Sequence, residues 1–102
     1  MSNQKARAKN KEIASSIPIA FTNHGWDDYL YWQEHDTAKL AAINDLLRDC
    51  KRDPFGGIGK PEPLKGSLAG FWSRRIDREH RLVYAVRDGT IVVLQCRFHY
   101  ER

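Results

Sequence analysis

The second half of the 102-residue chain carries a set of cations together with one histidine and one carboxylate. These residues are Lys60, Glu62, Lys65, Arg75, Arg81, Arg97 and His99. Arginine can hold phosphate oxygens through two hydrogen bonds and can neutralise the charge that grows in a transition state. A histidine titrates near neutral pH, so it can protonate a leaving oxygen, and a glutamate can accept a proton from an attacking hydroxyl. Together these residue types favour phosphodiester chemistry.

The setting of Glu62 supports a preorganised role. Pro61 and Pro63 flank it in the sequence KPEPLK. Each proline fixes its own φ angle and restricts the residue before it to extended conformations. The carboxylate would therefore lose little backbone entropy on meeting a ligand, although a purely structural rigid loop would have the same sequence.

Three strands, at 71–77, 80–87 and 90–98, must position the cations, because their side chains alternate between two faces. The predicted apolar face carries Trp72, Ile76, Leu82, Tyr84, Val86, Val92, Leu94, Cys96 and Phe98. The predicted polar face carries Ser73, Arg75, Arg81, Gln95, Arg97 and His99. Arg74 falls on the apolar face as an exception, and we expect it to lie beyond the cover of the helices.

The same alternation constrains the turn between the last two strands, since opposed residues of an antiparallel pair share a face. A two-residue turn at Asp88-Gly89 would place Leu82 opposite the polar Gln95. A three-residue loop, Arg87-Asp88-Gly89, would place Leu82 opposite Leu94 instead. The pattern therefore predicts the three-residue loop, with Arg81 opposite Gln95.

The first half of the chain predicts one short strand and two helices. The run IPIAF (17–21) suits an edge strand, because proline cannot donate to a sheet. Asn23 is a plausible cap for a first helix, and Asp36 caps a second that ends at Pro54. The inner stripe of the second helix is Leu40, Ile43, Leu47 and Cys50. Residues 54–70 are predicted to form a long, glycine- and proline-rich loop. The resulting fold class is α+β, a twisted antiparallel sheet packed on one face by two N-terminal helices, with an open cationic face opposite.

The net charge of +4 is unevenly distributed along the chain. Residues 1–16 contribute +3 and are predicted to be a disordered basic tail, residues 17–49 contribute −4, and residues 50–102 contribute +5. Residues 17–102 are predicted to form a single domain. No apolar run approaches the ~20 residues of a membrane span, and no apolar signal core is present, which favours a cytoplasmic protein. The two cysteines, Cys50 and Cys96, are expected to be reduced core residues.

These patterns alone indicate a small α+β domain with a cationic open sheet suited to an anionic partner such as RNA. Surface ion pairs would give the same mixture of arginine and acid, and a lone histidine near a C-terminus is most often a surface residue. The residue patterns alone indicate no more specific function than this.

Four longer motifs resemble one known family. They are WDDYLYWQ (26–33), GKPEPLKGSLAGFWSRRI (59–76), EHRLVYAV (79–86) and FHY (98–100). In order and spacing, nearly collinear over residues 17–100, they are similar to the YoeB/Txe toxins, which are RelE-like mRNA interferases of bacterial type II toxin–antitoxin systems.

The resemblance implies a fold of the RelE, or microbial-ribonuclease, type. It also implies an endoribonuclease that cuts mRNA in the ribosomal A site by attack of the 2′-hydroxyl on the adjacent phosphate. By matching position, Glu62 would be the general base, His99 the general acid and Arg81 the group that stabilises the transition state. Tyr100 would orient the substrate or the acid, and phosphate or ribosomal RNA would be bound by Lys60, Lys65 and Arg75. Arg97 is assigned to phosphate binding from the predicted polar face alone.

The implied partners are a cognate antitoxin of the YefM/Axe type, the 70S ribosome with its mRNA, and a second copy of the chain in a homodimer. No metal or other cofactor is implied, and no membrane. Two alternatives remain: a non-enzymatic toxin on the same scaffold, like the ParE inhibitors of gyrase, and a catalytically silent module that binds RNA or the antitoxin.

Overall fold

The computed structural model describes residues 17–99, which form two helices and a five-stranded sheet. The elements in chain order are β1 (Ile19–Phe21), α1 (Asn23–His35), α2 (Thr37–Arg52), β2 (Glu62–Pro63), β3 (Trp72–Arg75), β4 (Arg81–Arg87) and β5 (Thr90–Gln95). The predicted disordered tail, residues 1–16, lies outside the described residues, and so do Tyr100 and the two residues after it.

Side-chain caps set the starts of both helices. The Thr22 hydroxyl accepts a hydrogen bond from the Gly25 amide at 3.0 Å, so Thr22 caps α1 where the sequence had suggested Asn23. The Asp36 carboxylate accepts from the amides of Ala38 and Lys39, as predicted for α2. Because Asp36 also closes α1, the two helices are joined without a linker and pack against each other.

The sheet has the strand order β1-β5-β4-β3-β2. All neighbouring strands are antiparallel except β1, which pairs with β5 in parallel at one edge. The α+β class and the single helical layer are confirmed, and the sheet is mixed rather than wholly antiparallel. β2 forms the opposite edge, so Glu62 lies on a short strand inside the stretch predicted to be loop.

The predicted three-residue loop is wrong. Arg87 pairs with Thr90, which leaves a two-residue turn of Asp88 (φ 51°) and Gly89 (φ 72°). Positive φ at both central residues is typical of the type I′ turn, whose twist matches that of the flanking strands. A two-residue turn with regular pairing throughout would place Leu82 opposite the polar Gln95. An irregularity further along the hairpin avoids this pairing. Tyr84 pairs with Val93 but its neighbour Val83 pairs with Gln95, a β-bulge that absorbs one extra residue on β5.

The bulge also changes which residues of β5 face the helices. Ile91 and Val93 are fully buried in the core, where the uninterrupted alternation had placed Val92 and Leu94. Beyond the bulge Cys96 returns to the core, as predicted. The core joins this face of the sheet to the inner stripe of α2, including Ile43, Leu46, Leu47 and Cys50.

Arg74 is the largest fully buried side chain, so the expectation that it lies beyond the helices is wrong. Its guanidinium reaches the C-terminal end of α2 and the loop that follows. It donates to Asp49 Oδ2 at 2.6 Å, to the Tyr84 hydroxyl at 3.0 Å, and to three backbone carbonyls, those of Asp53, Gly56 and Ile58. A buried charge is tolerated when it is paired and hydrogen-bonded in this way.

Both cysteines are buried core residues, as the sequence indicated. Burial raises the pKa of the Cys50 thiol. Within residues 17–99 neither helix is both long and apolar enough to span a bilayer.

Candidate active site

The face of the sheet opposite the helices, called here the open face, carries one row of residues across four strands. Glu62 on β2 is opposite Ser73, Ser73 is opposite Val83, and Val83 is opposite Gln95. Directly opposed residues share a face, so all four side chains lie on the open face. Ser73 and Val83 are fully buried in the middle of the row, whereas Glu62 is exposed. The row is therefore a shielded floor with an accessible carboxylate at one end.

A second row of the open face is cationic. Arg75 and Arg81 are directly opposed on β3 and β4, and the Arg75 amide donates to the Gly59 carbonyl, which brings Lys60 to the same end of the sheet. Neither arginine forms an ion pair with any of the residues that the structure describes. Like charges directly opposed across two strands are destabilising. An anion bound between them would relieve that repulsion.

Two buried polar atoms on the open face have no hydrogen-bond partner within residues 17–99: Arg81 Nε and Ser73 Oγ. Buried polar groups are almost always paired, so each orphan calls for an explanation. Both atoms can donate a hydrogen bond, and a phosphate offers several acceptors. Because both atoms are shielded from solvent, the feature that points to a phosphate is the opposed guanidinium groups of Arg75 and Arg81.

His99 lies where β5 has ended and the chain turns back towards β4. The Arg81 amide donates to the Phe98 carbonyl at 3.0 Å, and the Gln95 side-chain amide approaches the His99 carbonyl at 3.4 Å. These two contacts bring His99 beside Arg81 and beside the end of the row that begins at Glu62. The structure therefore places Glu62, Arg75 and Arg81 on one face, as the alternation predicted, and the backbone of His99 beside Arg81 at the end of that face.

Arg97 does not follow this pattern, and its predicted place on the open face is wrong. Its guanidinium lies 3.4 Å from the centre of the Tyr31 ring on α1 and 4.5 Å from that of Phe98. The prediction assumed strict alternation as far as residue 98, but β5 ends at Gln95. Arg97 therefore stacks on the helical side, and its contacts do not support a role in phosphate binding.

The remaining predicted residues are less tightly placed. Lys60 has a left-handed backbone (φ 51°) just before β2, and Lys65 precedes the short 3-10 turn Gly66–Leu68; both side chains are exposed. Tyr100 lies outside the described residues, so its assigned role stays a prediction.

Sequence reasoning missed His80, which is 8% exposed and lies under the His99 segment. Its Nδ1 accepts a 2.7 Å hydrogen bond from the Phe98 amide. The Asp77 carboxylate accepts from the amides of Glu79 and His80 and forms an ion pair with Lys39 on α2 at 2.6 Å. Against the cost of burial, these contacts hold the pKa of Asp77 at about 2. The signal was present in the sequence DREH, since an aspartate that begins a turn commonly caps the amides two and three residues on.

The strand that carries Glu62 depends on the Arg74 network. Hydrogen bonds from Arg74, the Ile58 amide and Arg52 hold the pKa of Asp49 at about 2. Burial raises the pKa of Tyr84 to about 12, and its hydroxyl donates to the Pro54 carbonyl at 2.6 Å. The loop between α2 and β2 is therefore fixed from within.

A cavity of about 470 Å³ lies away from the open face, between β1 and the two helices. Its lining includes Phe21, Trp26, Tyr29 and Leu47, and Trp26 is 45% exposed. It has an aromatic wall and two cations, Arg48 and Lys51, but none of the predicted site residues. Among residues 17–99 no three His, Cys, Asp or Glu side chains are grouped so that they could hold a metal ion.

Comparison with known proteins gives a consistent result. Residues 21–100 match the sequence model of the YoeB-like toxins of bacterial type II toxin–antitoxin systems. Toxin YoeB of Streptomyces coelicolor is 57% identical over 82 residues, which cover 80% of this chain and 98% of that toxin. Among solved structures, a YoeB/ParE toxin from Agrobacterium tumefaciens has a TM-score of 0.79 at 55% identity, covering 81% of this chain and 99% of its own.

Two solved structures from Staphylococcus aureus are also similar. One is a YoeB–YefM complex (44% identity) and the other a YoeB dimer (45% identity). Each has a TM-score of 0.77 and covers 82% of this chain and 98% of its own.

Proposed function

The chain belongs to the family of YoeB-like toxins of bacterial type II toxin–antitoxin systems, and from that premise we propose that it is an endoribonuclease that cleaves mRNA on the ribosome. The observation that carries the proposal is the open face. It holds an exposed carboxylate and two arginines that form no ion pair within residues 17–99, with the backbone segment that carries His99 at the end of the same shielded floor.

The proposed reaction transfers a phosphoryl group within the RNA. Glu62 accepts the proton of a ribose 2′-hydroxyl as that oxygen bonds to the adjacent phosphorus. The bond from phosphorus to the 5′-oxygen of the next nucleotide breaks, and His99 donates a proton to that oxygen. The products are a 2′,3′-cyclic phosphate and a free 5′-hydroxyl, so atoms and charge balance without another reactant.

The strand spacing suits a base and an acid on opposite sides of one phosphate. Three strand intervals separate Glu62 from Gln95, which is about 14 Å between backbones at the usual ~4.8 Å spacing. His99 follows Gln95 by four residues and its carbonyl is contacted by the Gln95 side chain, so the proposed acid belongs to the end of the sheet away from Glu62. In-line displacement needs the attacking and leaving oxygens on opposite sides of the phosphorus.

Arg81 lies on β4, between the strand of the base and the segment of the acid. From there its guanidinium can bind the non-bridging oxygens, on which negative charge grows in the transition state. Arg75, directly opposite, would bind the same or a neighbouring phosphate.

The ribosome would supply what the side chains lack. A carboxylate is a weak base for a sugar hydroxyl. Holding the mRNA so that the hydroxyl is aligned for attack can contribute several orders of magnitude. We therefore expect weak cleavage of free RNA and strong cleavage of ribosome-bound mRNA.

Two protein partners follow from the relatives. An antitoxin like the YefM in the Staphylococcus aureus complex would cover the open face, where an acidic segment could pair with Arg75 and Arg81. A homodimer like that of the same species' YoeB is the other proposed assembly.

The test uses translating ribosomes programmed with one defined mRNA. Cut ends are mapped after adding wild type, Glu62→Gln or His99→Gln, with Glu34→Gln as the matched control, because Glu34 is an exposed carboxylate on α1. We expect each site substitution to lower the cleavage rate about 10²-fold or more and the control to match wild type.

Equal cleavage by wild type and both site variants would refute the assigned roles. No cleavage by wild type would refute the endoribonuclease itself. Gyrase supercoiling assays on the same samples then distinguish a non-enzymatic toxin, which would inhibit gyrase, from a silent binding module, which would not.

A further inference from the structure

We propose that His80 is a positioning residue that fixes the catalytic His99 through the backbone of Phe98, an inference that rests on the proposed function. Nothing in the proposed reaction brings His80 into contact with RNA. Its ring is buried between Trp32 of α1 and Phe98, with ring centres 4.8 and 5.6 Å away.

The bond between His80 and Phe98 fixes the tautomer of the imidazole. A backbone amide can only donate, so at 2.7 Å His80 Nδ1 must be the acceptor and carry no proton. The ring proton therefore lies on Nε2, which is 3.5 Å from a carboxylate oxygen of Glu79. The lone pair of His80 Nδ1 is therefore the acceptor for the Phe98 amide.

The backbone of His80 is itself anchored across the β3–β4 turn. The Ile76 amide donates to the His80 carbonyl at 3.0 Å, and the His80 amide donates to Asp77 Oδ1 at 2.7 Å. Asp77 is in turn paired with Lys39 on α2. The imidazole is thus held to the helical layer as well as to the sheet.

The backbone conformation of Phe98 depends on its hydrogen bond to His80. Its φ of 63° is left-handed, a conformation that is sterically unfavourable for a non-glycine residue and persists only where surrounding contacts impose it. Two hydrogen bonds impose it here, from its own amide to His80 and from the Arg81 amide to its carbonyl. His99 is the next residue, so the direction of its side chain depends on this turn of the backbone.

The first experiment tests the bond without any activity. In the 15N-labelled full-length protein, long-range proton–nitrogen spectra should assign the His80 proton to Nε2, and coupling should be detectable between the Phe98 amide nitrogen and His80 Nδ1. A proton on Nδ1 would overturn the proposal.

The second experiment measures single-turnover cleavage of ribosome-bound mRNA by a matched set of variants. His80→Asn keeps an acceptor oxygen near the position of Nδ1, whereas His80→Gln moves the oxygen to the position of Nε2 and His80→Leu has none. We expect the maximal rate to fall about 10²-fold in the Gln and Leu variants and to stay within about threefold of wild type in the Asn variant. The concentration of toxin that gives half the maximal rate should be unchanged in all three.

The outcomes separate this proposal from the proposed function. Equal rates for the Asn and Gln variants would overturn the positioning role, whether both are active or both are impaired. If its thermal melt shows that His80→Leu does not fold, the comparison of the Asn and Gln variants still tests the positioning role. A wild type that does not cleave would refute the endoribonuclease and the catalytic meaning of His80, even where the spectra confirm the bond.

Discussion

Arg74→Met is the substitution that best tests how the structure supports its site. Four of the five hydrogen bonds of Arg74 tie β3 to Asp49 at the end of α2 and to the loop that leads into β2, and the fifth goes to the Tyr84 hydroxyl on β4. Methionine has a similar length and fills the same space, so the change removes the charge and the donors while leaving little cavity.

The expected loss of folding stability depends on which polar groups lose a hydrogen-bond partner when Arg74 is replaced. Hydrogen bonds to charged groups are worth about 1.5–3 kcal/mol each, and five of them added together would be comparable to the entire roughly 4–12 kcal/mol expected for a domain of this size. The contributions are therefore not additive, since the loop carbonyls can turn to water once the guanidinium is gone. Removing one partner of a buried ion pair costs about 3–5 kcal/mol, and we expect Arg74→Met to destabilise the domain by about 4 kcal/mol.

Urea unfolding followed by tryptophan fluorescence measures this loss, with Glu62→Gln as the common background to limit toxicity. Arg78→Met is the matched control, because Arg78 is exposed and should change the free energy of unfolding by less than about 0.5 kcal/mol. A loss below about 1 kcal/mol for Arg74→Met would contradict a supporting role for the Arg74 hydrogen bonds.

A double-mutant cycle with Tyr84→Phe tests the network itself. The Tyr84 hydroxyl accepts from Arg74 Nε and donates to the Pro54 carbonyl. We expect Tyr84→Phe to cost about 1–2 kcal/mol in the wild type and at least ~0.5 kcal/mol less when Arg74 is already methionine, because one of its bonds is then absent. Strict additivity would show that the two side chains do not act together.

Three further predictions concern other parts of the scaffold. Gly25→Ala should destabilise the domain by about 2 kcal/mol in urea unfolding, since its Cβ would lie 2.5 Å from the Val93 carbonyl oxygen; a more stable variant, as helix propensity alone would predict, contradicts this close packing. Gly89→Ala should cost about 1 kcal/mol because of its φ of 72°, while Asp88→Asn should be nearly neutral, and equal effects would argue against the type I′ turn. Asp77→Asn should be less stable than wild type near neutral pH. Because folding lowers the pKa of Asp77 from 3.8 to about 2, that advantage should be complete above pH ~5 and disappear as the pH falls from ~4 to 2; a difference independent of pH would contradict the ion pair.

Much of the site was predictable because strand alternation is a local property. Arg75 is two residues from Ser73 and Arg81 is two residues from Val83, so each arginine shares the open face with that neighbour. The structure pairs the two arginines directly. Alternation failed for Val92, Leu94 and Arg97, all on β5 or just beyond it, because a bulge and an early strand end each interrupt the period. Neither the bulge nor the early end of β5 has a local sequence signal as strong as that of the Asp88-Gly89 turn. The preference of Asp-Gly for two-residue turns predicted this hairpin better than side-chain alternation did.

By itself the sequence determined the two helices, the α+β class, the cationic face and, through four collinear motifs, the family. These are properties of residue type, period and order, which need no knowledge of distant contacts. Only the tertiary structure showed that Arg74 is a buried clamp and that His80 supports the turn before His99. Both roles depend on partners between 16 and 21 residues away in the chain, at backbone carbonyls and amides that any sequence contains. Which of those groups meets which side chain is decided only when helix, sheet and loop pack together.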